Sequence, residues 1–216
     1  MERKISTSLY ALAFILTVIV FSAGVFVGTL FDQNNQELIS DEVVDISSKL
    51  ESTQLLMLLD ENSSAFCPIY MSQLDSINDE VEKIGHKLAF LEDEKNVVDV
   101  PLKKSYFVLE AQSYLLSKKL NSRCGENNTL LLYFYSNVNC IECGQMGNEI
   151  LSARDTISNG ANTIKIYSFD GELGSPVADA LKAQYGVHTY PSIVVNGELF
   201  SGYMDQSEIK AVLEGG

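Results

Sequence analysis

The chain has 216 residues, no tryptophan, four cysteines and a formal net charge of −14. A charge of that sign repels phosphates, which excludes nucleic acid as the expected partner, and it opposes docking on an anionic membrane surface. The length admits one compact domain plus a smaller segment, and four cysteines allow three pairings or none.

In chain order, the first element is an uncharged apolar run over residues 9–31. At roughly 23 residues it is long enough to cross a bilayer as a helix. Arg3 and Lys4 precede it; Asp32, Glu37, Asp41, Glu42 and Asp45 follow it. The charge asymmetry predicts residues 1–8 in the cytoplasm, 9–31 as a single-pass anchor in the cell membrane, and the remainder outside the cytoplasm. A cleaved signal peptide is the rival, with Ser22-Ala23-Gly24 as its cleavage site. The run continues through Val25-Phe26-Val27, however, about twice the length of a signal h-region. Gly24 and Gly28 have the spacing of a helix-pairing motif, although glycine is also simply tolerated in membrane helices. An extracytoplasmic location would let disulfides persist. Glycosylation-type triplets begin at Asn62 and Asn127; such triplets also arise by chance.

Residues 32–40 are polar and read as a tether. Residues 41–123 carry three helical patterns. The first, 41–59, places Val43, Ile46, Leu50 and Met57 on one face, with Asp41 as its expected cap. The second, 67–94, starts at Cys67-Pro68, proline being favoured at the first helical position. Its stripe of Cys67, Tyr70, Leu74, Ile77, Val81, Ile84, Leu88 and Leu91 alternates steps of three and four, the seam of a coiled coil or helical hairpin. Packing within a hairpin is favoured over a zipper between two chains. The third helix, 101–121, carries Leu102, Tyr106, Leu109, Leu116 and Leu120 on its stripe. Short connections make the neighbours antiparallel. The start of the second helix and the end of the third then share one end, which brings Cys67 near Cys124. A structural disulfide between them is expected. The alternative is a second redox pair that relays electrons.

Residues 124–216 change to short apolar strands. Strands are expected at 129–136, 163–170, 192–195 and 198–201, and helices at 143–158, 176–185 and 206–213. Gly186 has a C-cap place, Asn196-Gly197 is a strong hairpin signal, and Asp205 is the expected final cap. The first strand runs straight into Cys140-Ile141-Glu142-Cys143. A Cys-X-X-Cys at a strand-to-helix junction is a site for thiol–disulfide chemistry. Zinc also uses such pairs, but there is no second pair, and His86 and His188 lie far apart in sequence. No metal or cofactor is expected. Tyr133, Tyr135, Tyr167 and Phe169 alternate as core or sheet-face residues.

The order β-α-β-α-β-β-α, with Tyr185-Gly186-Val187, Tyr190-Pro191-Ser192, Asn196-Gly197 and Gly202 after the CxxC, resembles the thioredoxin-like superfamily over about residues 125–214. The resemblance implies an α/β thioredoxin-like fold, preceded here by the anchor helix and a helical stalk. It implies that Pro191 is cis and lies against the Cys140–Cys143 disulfide, with Tyr190 facing it. Placement at a helix N-terminus makes Cys140 the exposed attacking sulfur and Cys143 the buried resolving one. Two departures stand out. Asn139 precedes Cys140, and Ile141-Glu142 is the intervening dipeptide, where thioredoxins carry Trp before the pair and Gly-Pro within it. Phe134 occupies the position, six residues before the first cysteine, at which the family has a buried acid. Glu142 is the nearest substitute acid, but it reads more simply as an exposed residue, and His188 as a loop residue.

The expected function is a membrane-tethered oxidoreductase acting on cysteines of exported proteins through a mixed disulfide, with a redox partner, membrane-bound or free, to recycle the pair. Oxidation, reduction and isomerisation all use such a pair. The competing class is a non-catalytic scaffold that binds a partner and carries a structural disulfide. A redox-sensing receptor would need a partner subunit for output, because only about eight residues precede the run.

Overall fold

The computed structural model describes residues 7–59, 66–95, 97–125, 128–157 and 163–215. The chain divides into two compact units, Met1–Glu42 and Val43–Gly216. Both glycosylation-type triplets include residues outside the described ones.

In the first unit every described residue belongs to α1 (Thr7–Leu59). Over residues 12–26 the described apolar side chains are exposed, Phe14 and Phe21 among them, whereas Ile39 is buried. Among the described residues no helix is long and apolar enough to cross a membrane. The expected transmembrane helix is therefore not supported. Residues 32–40, expected to form a tether, are helical and continuous with α1. Asp41 accordingly sits inside the helix instead of capping it.

The second unit opens with the remainder of α1, on which Val43, Ile46, Leu50 and Met57 are buried. α2 (Phe66–Lys95) follows, and Lys49 of α1 bonds to its Glu80 at 2.9 Å. The α2 stripe from Tyr70 through Leu74, Ile77, Val81, Ile84 and Leu88 to Leu91 is buried, as the three-four spacing predicts. α3 (Val100–Cys124) returns antiparallel. Asp99 starts it by accepting the Leu102 N–H at 3.0 Å, and Gly125, at φ 68°, ends it in the left-handed conformation. Gly85 lets the hairpin close: a Cβ there would stand 2.4 Å from the Tyr106 hydroxyl.

Residues after α3 form β1 (Thr129–Tyr135), α4 (Ile141–Ile157), β2 (Ile164–Asp170), α5 (Pro176–Tyr185), β3 (Ser192–Val195), β4 (Glu198–Ser201) and α6 (Gln206–Gly215). The sheet order is β2-β1-β3-β4, with β1 parallel to β2 and antiparallel to β3. Asn196 and Gly197, both at positive φ, make the β3–β4 turn. Residue alternation sorts the two faces. Leu131, Tyr133, Ile164, Ile193 and Val195 pack with Met146, Ile150 and Ala153 of α4 and with Ile209 and Leu213 of α6. On the opposite face Phe107 of α3 lies 5.5 Å from Phe169, and Tyr114 lies edge-on to Tyr167 at 5.5 Å. Tyr114 also bonds to Tyr185 of α5. The helices thus cover both sides of a four-stranded mixed sheet.

Candidate active site

β1 delivers the chain to the site. After Tyr135 the backbone turns through 136–139, and α4 starts one residue past Cys140. Ser136 organises this turn: its hydroxyl accepts the Val138 N–H at 2.9 Å and donates to the Glu172 carboxylate. Asn139 takes a left-handed φ of 53°, which asparagine tolerates better than most residues.

Cys140 and Cys143 are disulfide-bonded, with Cα atoms 5.3 Å apart. Cys140 is half-buried and Cys143 is 3 % exposed. The Cys143 N–H donates to the Cys140 carbonyl at 3.3 Å, closing the first turn of α4. The backbone N–H of Ser136 points at the Cys143 Sγ, 3.4 Å away. In the reduced state the outer sulfur sits at a helix N-terminus, where free N–H groups and the dipole favour a thiolate. The inner sulfur keeps one backbone donor. Ile141 is 83 % exposed and Glu142 is exposed, so the dipeptide between the cysteines forms part of the outer surface.

The Tyr190–Pro191 bond is cis and Pro191 is buried. Ser192 pairs with Phe134, which sets Pro191 at the same sheet end as the 136–139 turn. Tyr190 stands over Gly171, where a Cβ would lie 2.2 Å from its hydroxyl oxygen, and that hydroxyl accepts from Lys182 at 3.1 Å. Its contacts thus run to Gly171 and Lys182, whereas the resemblance predicts that it faces the cysteines.

Phe134 stacks on Phe169 at 5.7 Å, on the α3 side of the sheet, the face opposite Cys143. The β1 side chain that reaches Cys143 is Tyr133, whose hydroxyl donates to the Cys143 carbonyl. The position six residues before the first cysteine thus holds a buried ring and no acid. Burial raises the Tyr133 phenol well above its usual range, so it is a neutral donor beneath the pair.

Beside this end of the sheet lies a charged cluster that sequence reasoning missed. Lys103 of α3 is buried, 2.6 Å from Glu92 of α2 and 3.9 Å from the buried Asp170 at the end of β2. It also lies 5.5 Å from the Tyr135 ring. Asn137 in the turn bonds to the same Glu92 at 3.4 Å. No local pattern marks a buried lysine on the apolar face of a helix. Deeper in, Glu110 is buried, and burial raises its carboxyl to about 8, with the Tyr106 hydroxyl and the Ser168 backbone pulling it down. The hairpin and the cysteine pair border a common cleft of about 490 Å³, lined by Glu92, Tyr106 and Glu110 on one side and Cys140 and Cys143 on the other.

Cys67 and Cys124 form the second disulfide, with Cα atoms 5.6 Å apart. Lys103 lies near the start of α3, at the reactive-pair end, whereas Cys124 is its last residue. At about 1.5 Å per residue, roughly 30 Å of helix separates them. Thiol–disulfide exchange needs sulfurs in contact, and in this structure the two pairs are not in contact. His188 is exposed, and His86 is exposed 3.5 Å from Glu82. Among the described residues no group of acidic, histidine and cysteine side chains is arranged to hold a metal.

Residues 116–216 match the family model of a thioredoxin-like domain. The second half of this chain is a thioredoxin-like domain. The four-stranded sheet, α4 to α6 and the cis-proline lie within the matched residues, and α3 enters them only with its last turns. Among solved structures, chloroplastic thioredoxin z is 13 % identical, with 46 % of this chain and 87 % of that chain covered and a TM-score of 0.35. The first thioredoxin domain of mouse protein disulfide-isomerase A4 is 24 % identical, with 45 % and 69 % covered and a TM-score of 0.33. No curated protein matches the chain.

Proposed function

We propose that this protein is a thiol–disulfide oxidoreductase that acts on cysteines of other polypeptides through Cys140 and Cys143. The observation that carries the reading is the asymmetry of the pair at the start of α4: one sulfur reachable, the other buried beneath it. In the reducing direction the Cys140 thiolate attacks a substrate disulfide, and one substrate sulfur leaves as a thiolate. Cys143 then loses its proton and attacks the Cys140 sulfur of the mixed disulfide. The second substrate sulfur leaves, two electrons have moved to the substrate, and the Cys140–Cys143 bond has formed. The oxidising direction reverses each step, and a redox partner, membrane-bound or free, returns the pair to its starting state.

The N-terminal segment tethers the domain to a membrane in this reading, with the cysteines on the extracytoplasmic side. Its support is the uncharged run 9–31 behind Arg3 and Lys4, together with a staple disulfide distant from the reactive pair, a feature of oxidising compartments. Sedimentation of the full chain with carbonate-washed membranes is the expected outcome; recovery in the soluble fraction opposes the tether.

The test of the chemistry is a Cys143→Ser variant, which should accumulate mixed disulfides on Cys140 that dithiothreitol releases. Absence of any mixed disulfide, with a reduction potential of the wild-type pair below about −300 mV, would identify a structural bond on a scaffold.

A further inference from the structure

Among the described residues the sheet ends at β2, whose second side faces no strand. In a parallel pair, alternate residues turn both main-chain groups away from the neighbour. The Thr163 carbonyl accepts the Thr129 N–H at 3.0 Å, so the odd-numbered residues of β2 face β1. Ile164, Ile166 and Ser168 therefore turn their N–H and C=O outward. Of these, Ser168 meets the Glu110 carboxyl.

α2 runs beside this edge, tied across it by Asp75 to Lys165 at 2.5 Å and by Glu82 to Arg154 at 2.7 Å, yet leaves open volume against the strand. A cavity of about 170 Å³ lies between Asp75 and Asn78 of α2 and the stretch of β2 around Ile164 and Ile166. The cleft of about 490 Å³ adjoins it, with Ile166, Ser168, Cys140 and Cys143 in its lining. Glu82, Glu110, Arg154 and Ile166 border both. Two buried polar atoms in these walls have no hydrogen-bond partner, Asn78 Nδ2 and Glu110 Oε2, and the Glu110 residue is 3 % exposed.

We propose that this slot receives an extended segment of the cysteine-bearing substrate polypeptide as an added strand on the outer edge of β2, which brings the substrate sulfur to Cys140. The inference rests on the reading of Cys140–Cys143 as the reactive pair and adds to it how the substrate is held. Outward main-chain groups recur at every second residue of β2, about 7 Å apart, and an extended polypeptide is the ligand with the matching repeat. The unpaired amide of Asn78 and carboxyl oxygen of Glu110 supply polar contacts beside that strand. The slot leads from β2 to the disulfide, so the occupant is a chain with a cysteine near the Ser168 end.

The probe is a synthetic dodecapeptide rich in threonine and valine, with one cysteine activated as its 2-nitro-5-thiobenzoate disulfide. The Cys140 thiolate of the reduced Cys143→Ser protein attacks the peptide sulfur and expels the coloured thiolate, whose release gives the rate. The expected result is a rate at least tenfold above that of the same peptide N-methylated at alternate residues. Amide exchange at Ile164 and Ile166 should slow at least tenfold in the trapped complex. An Ile166→Pro variant, lacking one outward N–H, should lose the peptide preference yet react normally with the activated disulfide of cysteamine. Equal rates for the two peptides with no new protection on β2 overturn the slot and leave the redox reading intact. Protection of Ile164 and Ile166 already present without peptide and unchanged by it means that the chain fills its own slot, and also overturns the proposal. No reaction with even the cysteamine disulfide overturns the redox reading itself.

Discussion

The Tyr133 hydroxyl donates to the main-chain carbonyl of Cys143, so the buried cysteine of the pair is held from below by a phenol of the first strand. The bond spans from sheet to helix at the point where α4 must keep its first turn fixed. Its donor is neutral, because burial raises the phenol. Tyr133→Phe removes the bond while keeping the ring among Met146, Ile150 and Leu131. The expected loss is about 1 kcal/mol in a urea melt, the usual net worth of a buried hydrogen bond. A loss near zero would mean that the carbonyl is satisfied without it.

The staple is separable from the reactive pair. Cys67 and Cys124 close a loop with a sequence separation of 57, worth about 4 kcal/mol in the chain-entropy model. The double replacement by serine should lower stability by that order. It should leave the rate of Cys140 with a small activated disulfide unchanged, since the two sites lie at opposite ends of α3. A parallel fall in that rate would revive electron transfer between them.

Lys103 is buried between two acids, Glu92 at 2.6 Å and Asp170 at 3.9 Å. Lys103→Met leaves both carboxylates without their cation, one of them buried, and should cost about 3–5 kcal/mol. Glu92 also holds Asn137, so the turn before Cys140 should loosen as well. Faster amide exchange at Asn137 and Val138 is the readout; an unchanged melting midpoint would show that the cluster is not a stabilising one.

Glu110 gives the molecule a pH dependence of definite sign. Its carboxyl is raised from 4.5 to about 8, mainly by burial, with the charge of Glu82 pushing the same way. A carboxyl whose pKa is raised by folding binds a proton more tightly in the native state. Its contribution is complete below about pH 4.5 and is lost as pH rises through about 8. Stability should therefore decline across that window. Glu110→Gln, which keeps an acceptor for Tyr106 and never charges, should flatten the decline and exceed the wild type at pH 9. A wild-type profile with no slope between pH 5 and 8 would place the Glu110 pKa near its ordinary value.

Gly171 is the seat of Tyr190. A Cβ there would meet the ring at 2.2 to 2.3 Å, closer than any side chain tolerates, and the ring is also fixed by Lys182. Gly171→Ala should destabilise the domain by about 1–3 kcal/mol, and the displaced Tyr190 should slow reaction at Cys140 through the adjoining Pro191 segment. Wild-type stability and rate together would show that Tyr190 can move without consequence.

Local patterns in the sequence made the elements legible. The stripe from Tyr70 to Leu91 could only be a helix buried on one face, because its period is that of a helix. Asn196-Gly197 between two apolar pairs could only be a hairpin, because both residues accept positive φ. The Cys140–Cys143 spacing and Pro191 placed the chemistry. What was not legible depends on neighbours distant in sequence. The count along β1 showed that Phe134 is no acid, but only alternation and register show that Tyr133 reaches Cys143 while Phe134 packs on the α3 face. The polar composition of 32–40 suggested a tether but not its conformation, and helix propagates through it once flanked by helix.

The sequence by itself determined the order of elements, the cysteine pair at a strand-to-helix junction and the antiparallel hairpin that brings Cys67 to Cys124. Those follow from periodicity and spacing, which are local. Tertiary structure alone decided that Lys103, Glu92, Glu110 and Tyr106 of the hairpin stand beside the reactive pair. It also decided that open volume remains between α2 and the outer edge of β2, and that the two disulfides are not in contact. Such facts depend on how the hairpin packs on the sheet, and packing is set by contacts between residues dozens of positions apart.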